Sequence, residues 1–236
     1  SDFGGNVTLV SRNDKILRQR ISELTNNGTQ NHNYIVLDFS SPNKLEIKLK
    51  KFIKKNSINY DVIINNSGGP PSGELENATT EDLLLAFNLH LISFHKILGV
   101  LLGGIKNKES GRIINIISTS VKQPLNGLGV SNTIRGAVAN WAKTLANELG
   151  PYNITVNNIL PGATNTGRLK EIINNKAQKL NLKESSIEKQ MADQVPLKRI
   201  AEPIEVANAV VFLASNKASY ISGINLPVDG GRTKSL

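Results

Sequence analysis

Four stretches of the chain bring small, amide or hydroxyl residues to the end of a short β-branched run. Asp61-Val-Ile-Ile-Asn-Asn-Ser-Gly-Gly-Pro70 leads a buried strand straight into Asn66, Ser67 and Gly68. Glycines there let a backbone approach a ligand closely, and open α/β sheets bind ligands at the carboxyl ends of their strands. The plainer reading is a strand-ending turn. Gly111-Arg-Ile-Ile-Asn-Ile-Ile-Ser118 places a hydroxyl at a strand tip, pointing into the same crevice. Asn157-Asn-Ile-Leu-Pro-Gly162 ends in a glycine turn followed by Thr164 and Thr166, and Leu226-Pro-Val-Asp-Gly-Gly231 closes the series.

These tips need a framework of alternating elements. Strands are expected at Val7–Val10, Tyr34–Leu37, Val62–Ile64, Ile113–Ile117, Ile154–Ile159 and Asn225–Val228. Helical patterns lie between them, at Asp14–Leu24, Asn43–Lys55, Thr80–Ile105 and Ser131–Leu149, then a polar stretch at 167–192 and Ile204–Ala214. Continuous apolar strands alternating with helices predict a doubly wound parallel sheet, a three-layer αβα sandwich in one domain over 1–236. Thr79 and Asp82 have the spacing of a capping box, Pro203 suits a first helical turn, and Gly150-Pro151 closes the helix ending at Leu149.

Composition narrows the class. The 236 residues are 39% hydrophobic and 20% charged, an ordinary globular balance. The absence of cysteine excludes disulfides, thiolate metal sites and a cysteine nucleophile, and agrees with a cytoplasmic setting. No apolar run reaches the ~20 residues of a membrane span, and the start lacks the pattern of a signal peptide. The net charge of +9 suits an anionic cofactor, nucleic acid or an acidic partner, or simply solvated lysine-rich faces. Lys48–Lys55 interleaves Leu49, Phe52 and Ile53 at helical spacing, as on an amphipathic surface helix. With no recognition motif, neither nucleic acid nor membrane is expected as a partner.

The order Asn-Asn-Ser-Gly, Gly-Arg-Ile-Ile-Asn-Ile-x-Ser, Ile-Thr-Val-Asn-x-x-x-Pro-Gly and Pro-Val-Asp-Gly-Gly resembles the short-chain dehydrogenase/reductase family, particularly its 3-oxoacyl-acyl-carrier-protein reductase group. Val195-Pro-Leu-x-Arg-x-x-Glu-Pro-x-Glu-Val206 and Ser219-Tyr-Ile-Ser-Gly223 extend the likeness, which runs from Gly5 to Gly231. It implies a Rossmann-type fold and hydride transfer between a nicotinamide cofactor and a carbonyl or alcohol. Two departures stand out. The family's first strand and Gly-rich phosphate turn have no counterpart before Gly5, a shortfall of roughly 25–30 residues by the usual size of a βα unit. That predicts a gap in the sheet and the loss of a helix N-terminus for the pyrophosphate.

The second departure is the catalytic tetrad of Asn, Ser, Tyr and Lys. By the family's spacing, Ser118 is retained, Ser131 stands at the Tyr position, Arg135 at the Lys position and His90 at the Asn position, with Asn88 two places out of register. Serine is a far weaker acid than tyrosine. Arginine can hold ribose hydroxyls and stabilise developing charge but keeps its proton at neutral pH. His90, with an ordinary pKa near neutrality, is a candidate proton source relayed by Ser131 or Ser118; alternatively it fills the slot and bonds to backbone.

Other roles follow from the same resemblance. Ser11-Arg12 lies where an acid would select NAD(H), so Arg12 favours NADP(H) through the 2′-phosphate. Asp38 and Phe39 would flank the adenine, Asn66, Ser67 and Gly68 line the adenosine, and Pro161, Gly162, Thr164 and Thr166 close over nicotinamide and phosphates. Residues 167–195 correspond to a substrate lid, with Leu169, Ile172, Ile173, Leu180 and Met191 as apolar contacts. Ala137, Ala139, Trp141, Ala142 and Ala146 are expected on an oligomer surface of a homodimer or homotetramer. The reading is an NADP-dependent oxidoreductase acting on a small carbonyl or an acyl thioester. The alternative is an NADP-binding relative with little turnover, a sensor or partner subunit.

Overall fold

The computed structural model describes residues 1–235. Among the described residues, six parallel strands form two sheets. β1 (Thr8–Ser11), followed by α1 (Asp14–Ser22), pairs with β2 (Asn33–Val36), followed by α2 (Pro42–Asn56). β3 (Val62–Asn65), β4 (Gly111–Ile116), β5 (Ile154–Pro161) and β6 (Asn225–Val228) pair in that order. The expected gap is present: β1 and β3 share no ladder, and a Tyr60 Oη to Thr8 Oγ1 hydrogen bond of 2.8 Å ties them near their starts. Ile64, on the half-paired β3, is 51% exposed as a result.

Alternation along the strands fills two layers. Ile113, Ile154 and Val156 pack with Leu98 and Ile105 of α4 (Ser93–Lys106) and with Ala142, Leu145, Ala146 and Leu149 of α5 (Gly129–Leu149). Ile114 and Ile159 face the other way, onto Leu213 of the C-terminal helix Pro203–Ala214. That places Ala139, Ala142 and Ala146 in the core, which corrects the expectation that they form an oligomer surface: their side of α5 lies on the sheet.

The expected Thr80–Ile105 helix is divided. α3 (Thr80–Phe87), opened by the Thr79–Asp82 capping box, runs into a π-helical turn at Asn88–Ile92 before α4. Together they make one 27-residue run, Thr80–Lys106, with an 18-residue window of mean hydropathy 1.6, long and apolar enough by length and composition to cross a membrane. No such segment was expected. In this fold the run is packed through Ala86, His90, Phe94, Leu98 and Ile105, all buried. The polar stretch 167–192 divides as well, into α6 (Gly167–Leu180) and α7 (Glu184–Asp193), because Asn181 turns left-handed at φ 52°. Leu169, Ile173, Ala177 and Ile187 give this pair a small core of its own, with Met191 packed against it and Leu180 exposed.

Candidate active site

A row of asparagines, buried at Asn65, Asn115 and Asn158 and half-buried at Asn225, runs across the sheet. Asn65, Asn115, Asn158 and Asn225 are paired across β3 to β6, and each donates from Nδ2 to Oδ1 of the next at 2.8 Å. Amides serve here because each is donor and acceptor at once, so a chain of them satisfies itself in a dry sheet. Sequence reasoning missed this ladder; its signal was an asparagine inside each apolar run.

Just beyond the ladder lie the strand tips. Ser118 sits in extended backbone at φ −165°, and its Oγ accepts from the Ser120 amide at 3.1 Å. On α5, Ser131 is half-buried and Arg135 is 6% exposed. Arg135 Nη1 donates to the Ile116 carbonyl at 2.9 Å, two residues before Ser118. Among the described residues its Nε has no partner, and burial followed by the charge of Arg168 pushes its pKa down to about 10. It therefore stays cationic at neutral pH.

His90 lies in the π-turn, fully buried, with Nδ1 2.5 Å from Ser67 Oγ and Nε2 unpartnered. Burial first, and then the charge of Arg135, push its pKa down to about 3. The expectation of a group titrating near neutrality is corrected by this: charging His90 would put a second cation in a dry site beside the first. No hydrogen bond joins His90, Ser118 and Ser131 among the described residues. His90 instead bonds a side chain of the Asn66–Gly68 tip.

The remaining expected residues divide into two regions. Near the ends of β1 and β2, Arg12 is exposed and forms no ion pair among the described residues. Ser11 Oγ accepts from the Asn13 amide at 3.3 Å. Asp38 accepts from Ser40 backbone and hydroxyl, and these bonds, with Arg12 and Lys44, hold its carboxyl below the usual range. Phe39 stacks edge-on against Phe94, with ring centroids 6.3 Å apart, and so packs inward. After β5, Pro161 leads into Gly162, where an added Cβ would lie 2.8 Å from Asp229 Cα; only glycine lets these turns approach so closely. Thr164 Oγ1 donates to the Gly162 carbonyl, and Thr166 caps α6 by accepting from the Leu169 amide. The first turn of α6 contributes Arg168, which the sequence reading treated only as the edge of a lid. Its Nη2 donates to the Pro70 carbonyl at 2.6 Å, so the lid rests on the β3 tip.

This arrangement can hold a polar ligand over the tips, donate hydrogen bonds from Ser118 and Ser131, and present a fixed positive charge. A family model described as enoyl-(acyl carrier protein) reductase matches residues 1–233. The NADPH-dependent reductase BacG of Bacillus subtilis (strain 168) is 33% identical over 176 residues, covering 75% of this chain and 68% of that protein. The 3-oxoacyl-(acyl-carrier-protein) reductase FabG of Buchnera aphidicola subsp. Baizongia pistaciae is 34% identical over 211 residues, 88% of this chain and 78% of the relative. Among solved structures, YwfH, an NADPH-dependent reductase involved in bacilysin biosynthesis, has a TM-score of 0.90 at 27% identity, covering 100% of this chain and 91% of that one. The L-sorbose reductase of Gluconobacter frateurii, complexed with NADPH and L-sorbose, also has a TM-score of 0.90, at 26% identity over 98% of this chain and 88% of that one. With a family model matching residues 1–233 and a relative 34% identical over most of both chains, this chain belongs to the short-chain dehydrogenase/reductase family.

Proposed function

We propose that the protein is an NADPH-dependent oxidoreductase that reduces a carbonyl to an alcohol, working in the cytoplasm as a homo-oligomer. The observation that carries the reading is the pairing of Ser118 at the β4 tip with a buried, cationic Arg135 anchored two residues upstream. Similarity to 3-oxoacyl reductases makes a 3-oxoacyl thioester one candidate substrate. The residues fit a phosphorylated dinucleotide: Arg12 is exposed and forms no ion pair among the described residues, and nothing stands within 4 Å of a Cβ built on Gly68. Bound NADPH would supply the hydride.

The chain's own residues would do the rest. Ser118 Oγ donates to the carbonyl oxygen and orients it. Arg135 stabilises negative charge as it develops on that oxygen, a role best filled by a fixed cation in a water-poor site. Asn66, Ser67 and Gly68 shape the β3 side, and Pro161, Gly162, Thr164 and Thr166 the β5 side. His90 stays neutral and positions the Ser67 tip. Ser131 passes on a proton drawn from solvent, which makes proton delivery the slow feature of this site.

The test is NADPH oxidation against a panel of 3-oxoacyl thioesters, quinones and diketones. Turnover lost on Ser118→Ala supports the reading. The absence of a strong acid beside Ser118 favours a second reading, cofactor binding with little turnover. NADPH binding seen by fluorescence, with no oxidation across the panel, would establish that alternative.

A further inference from the structure

Asparagine followed by glycine is the pairing at which a backbone attacks its own side chain, because no Cβ shields the glycine nitrogen or restricts its approach. The chain holds two such pairs, Asn27-Gly28 and Asn126-Gly127. The fold treats them differently. Asn27 Oδ1 accepts from the Thr29 amide at 3.3 Å and from the Thr29 hydroxyl at 2.8 Å, and the Gly28 amide donates to Asn26 Oδ1 at 2.9 Å. Both reacting groups are engaged there. Asn126 is exposed, and among the described residues its side chain has no hydrogen bond and the Gly127 amide has no acceptor. Gly127 stands at φ 72° in a turn closed by the Leu128 amide, which donates to the Leu125 carbonyl at 3.2 Å.

We infer that Asn126 is a site of spontaneous modification, where the Gly127 nitrogen converts its side-chain amide to aspartyl and isoaspartyl forms while Asn27 is spared. The Gly127 nitrogen bonds to Asn126 Cγ as the Cγ–Nδ2 bond breaks, and ammonia leaves with the proton given up by the Gly127 amide. Water then opens the cyclic imide at either carbonyl, and nothing is oxidised or reduced. Opening at Cγ leaves aspartate. Opening at the main-chain carbonyl routes the backbone through the side chain and lengthens it by one methylene. The loop is tied on both sides of that insertion. Leu125 donates from its amide to Asn132 Oδ1 at 3.4 Å, and its carbonyl accepts from Asn132 Nδ2 at 2.9 Å. The Gly127 carbonyl accepts from the Gly73 amide at 2.7 Å, and the Gly129 amide donates to the Gly73 carbonyl at 3.0 Å. Asn132 follows Ser131 on α5, and Leu125 lines a cleft with Thr119, the residue after Ser118. Either product also brings a carboxylate near Glu74, whose Oε1 would lie 3.8 Å from a Cβ built on Gly127, and like charges repel. The modification therefore loosens the loop that joins Ser118 to Ser131. The reaction needs no cofactor and proceeds whether or not the site turns over.

The experiment ages the full chain in mildly alkaline buffer, digests it, and follows the two asparagine–glycine peptides by mass spectrometry, with fragmentation resolving aspartyl from isoaspartyl products. Both products should appear at Asn126 about tenfold or more faster than at Asn27, where hydrogen bonds must open first. The same chain held unfolded in denaturant should convert the two at similar rates, which assigns the difference to the fold. A folded chain that converts both equally, or leaves Asn126 intact, overturns the inference. So does an unfolded chain that keeps the folded preference, which places the selectivity in the flanking residues. Aged wild type should melt at a lower temperature than fresh protein, and aged Asn126→Gln should match its own fresh sample. An unaltered melt of fully converted protein would overturn the loosening of the loop.

Discussion

Replacing Asn115 by Ala should weaken the fold by about 2–4 kcal/mol. Asn115 is fully buried, accepts from Asn65 and donates to Asn158, both at 2.8 Å. Its removal strands the Asn65 amide and the Asn158 carbonyl oxygen in a dry sheet, at about 1–2 kcal/mol each. For a chain of this size, that lowers the thermal midpoint by roughly 10 °C. Denaturant titration of the single variants and of the Asn115→Ala, Asn158→Ala double variant gives the coupling between them. The double variant removes the bond with both of its partners, so its loss should fall short of the sum of the singles by about 1 kcal/mol or more. A single-variant loss below about 0.5 kcal/mol, or strict additivity, would refute the view that the amides form one satisfied chain. Because Ser118 follows the ladder by three residues, the same variant should also impair any turnover more than its stability loss alone accounts for.

The remaining expectations concern His90, Gly162 and Arg12. Folded His90 stays neutral down to about 3, whereas an ordinary histidine protonates near 6.5, so the unfolded chain binds the extra proton in between. Its contribution to stability is complete above 6.5 and lost as pH falls toward 3; denaturation midpoints of His90→Asn should show a flatter acid limb than the wild type. Gly162→Ala would press a methyl group to within 2.8 Å of Asp229 Cα and 2.9 Å of its Cβ, and should cost about 1–3 kcal/mol in a thermal melt. Arg12→Ala should weaken NADPH binding by about tenfold to hundredfold while leaving NADH unchanged, as a charge-assisted phosphate contact requires. Equal loss for both cofactors would remove Arg12 from the specificity role.

Much of the fold was legible because its signals are local. Apolar β-branched runs separated by helical periodicity marked all six strands, and Thr79 with Asp82 marked the cap of α3. The division of the Thr80–Lys106 run was not legible: the π-turn at Asn88–Ile92 carries no breaker residue, and packing of His90 against Ser67 and Phe94 accompanies it. The alanines of α5 misled for a related reason. Small residues suit a close helix–helix contact and a close helix–sheet contact equally, and only the rotation of the helix chose the sheet.

By itself, the sequence determined the parallel α/β order, the glycine-bearing tips and the place of Ser118 at a strand end. Those are matters of residue type and spacing along one chain. The tertiary structure decided the protonation of His90, the asparagine ladder and the convergence of Arg135 with Arg168. Each depends on groups far apart in sequence meeting away from water, where burial and a neighbour's charge reset what a side chain can do.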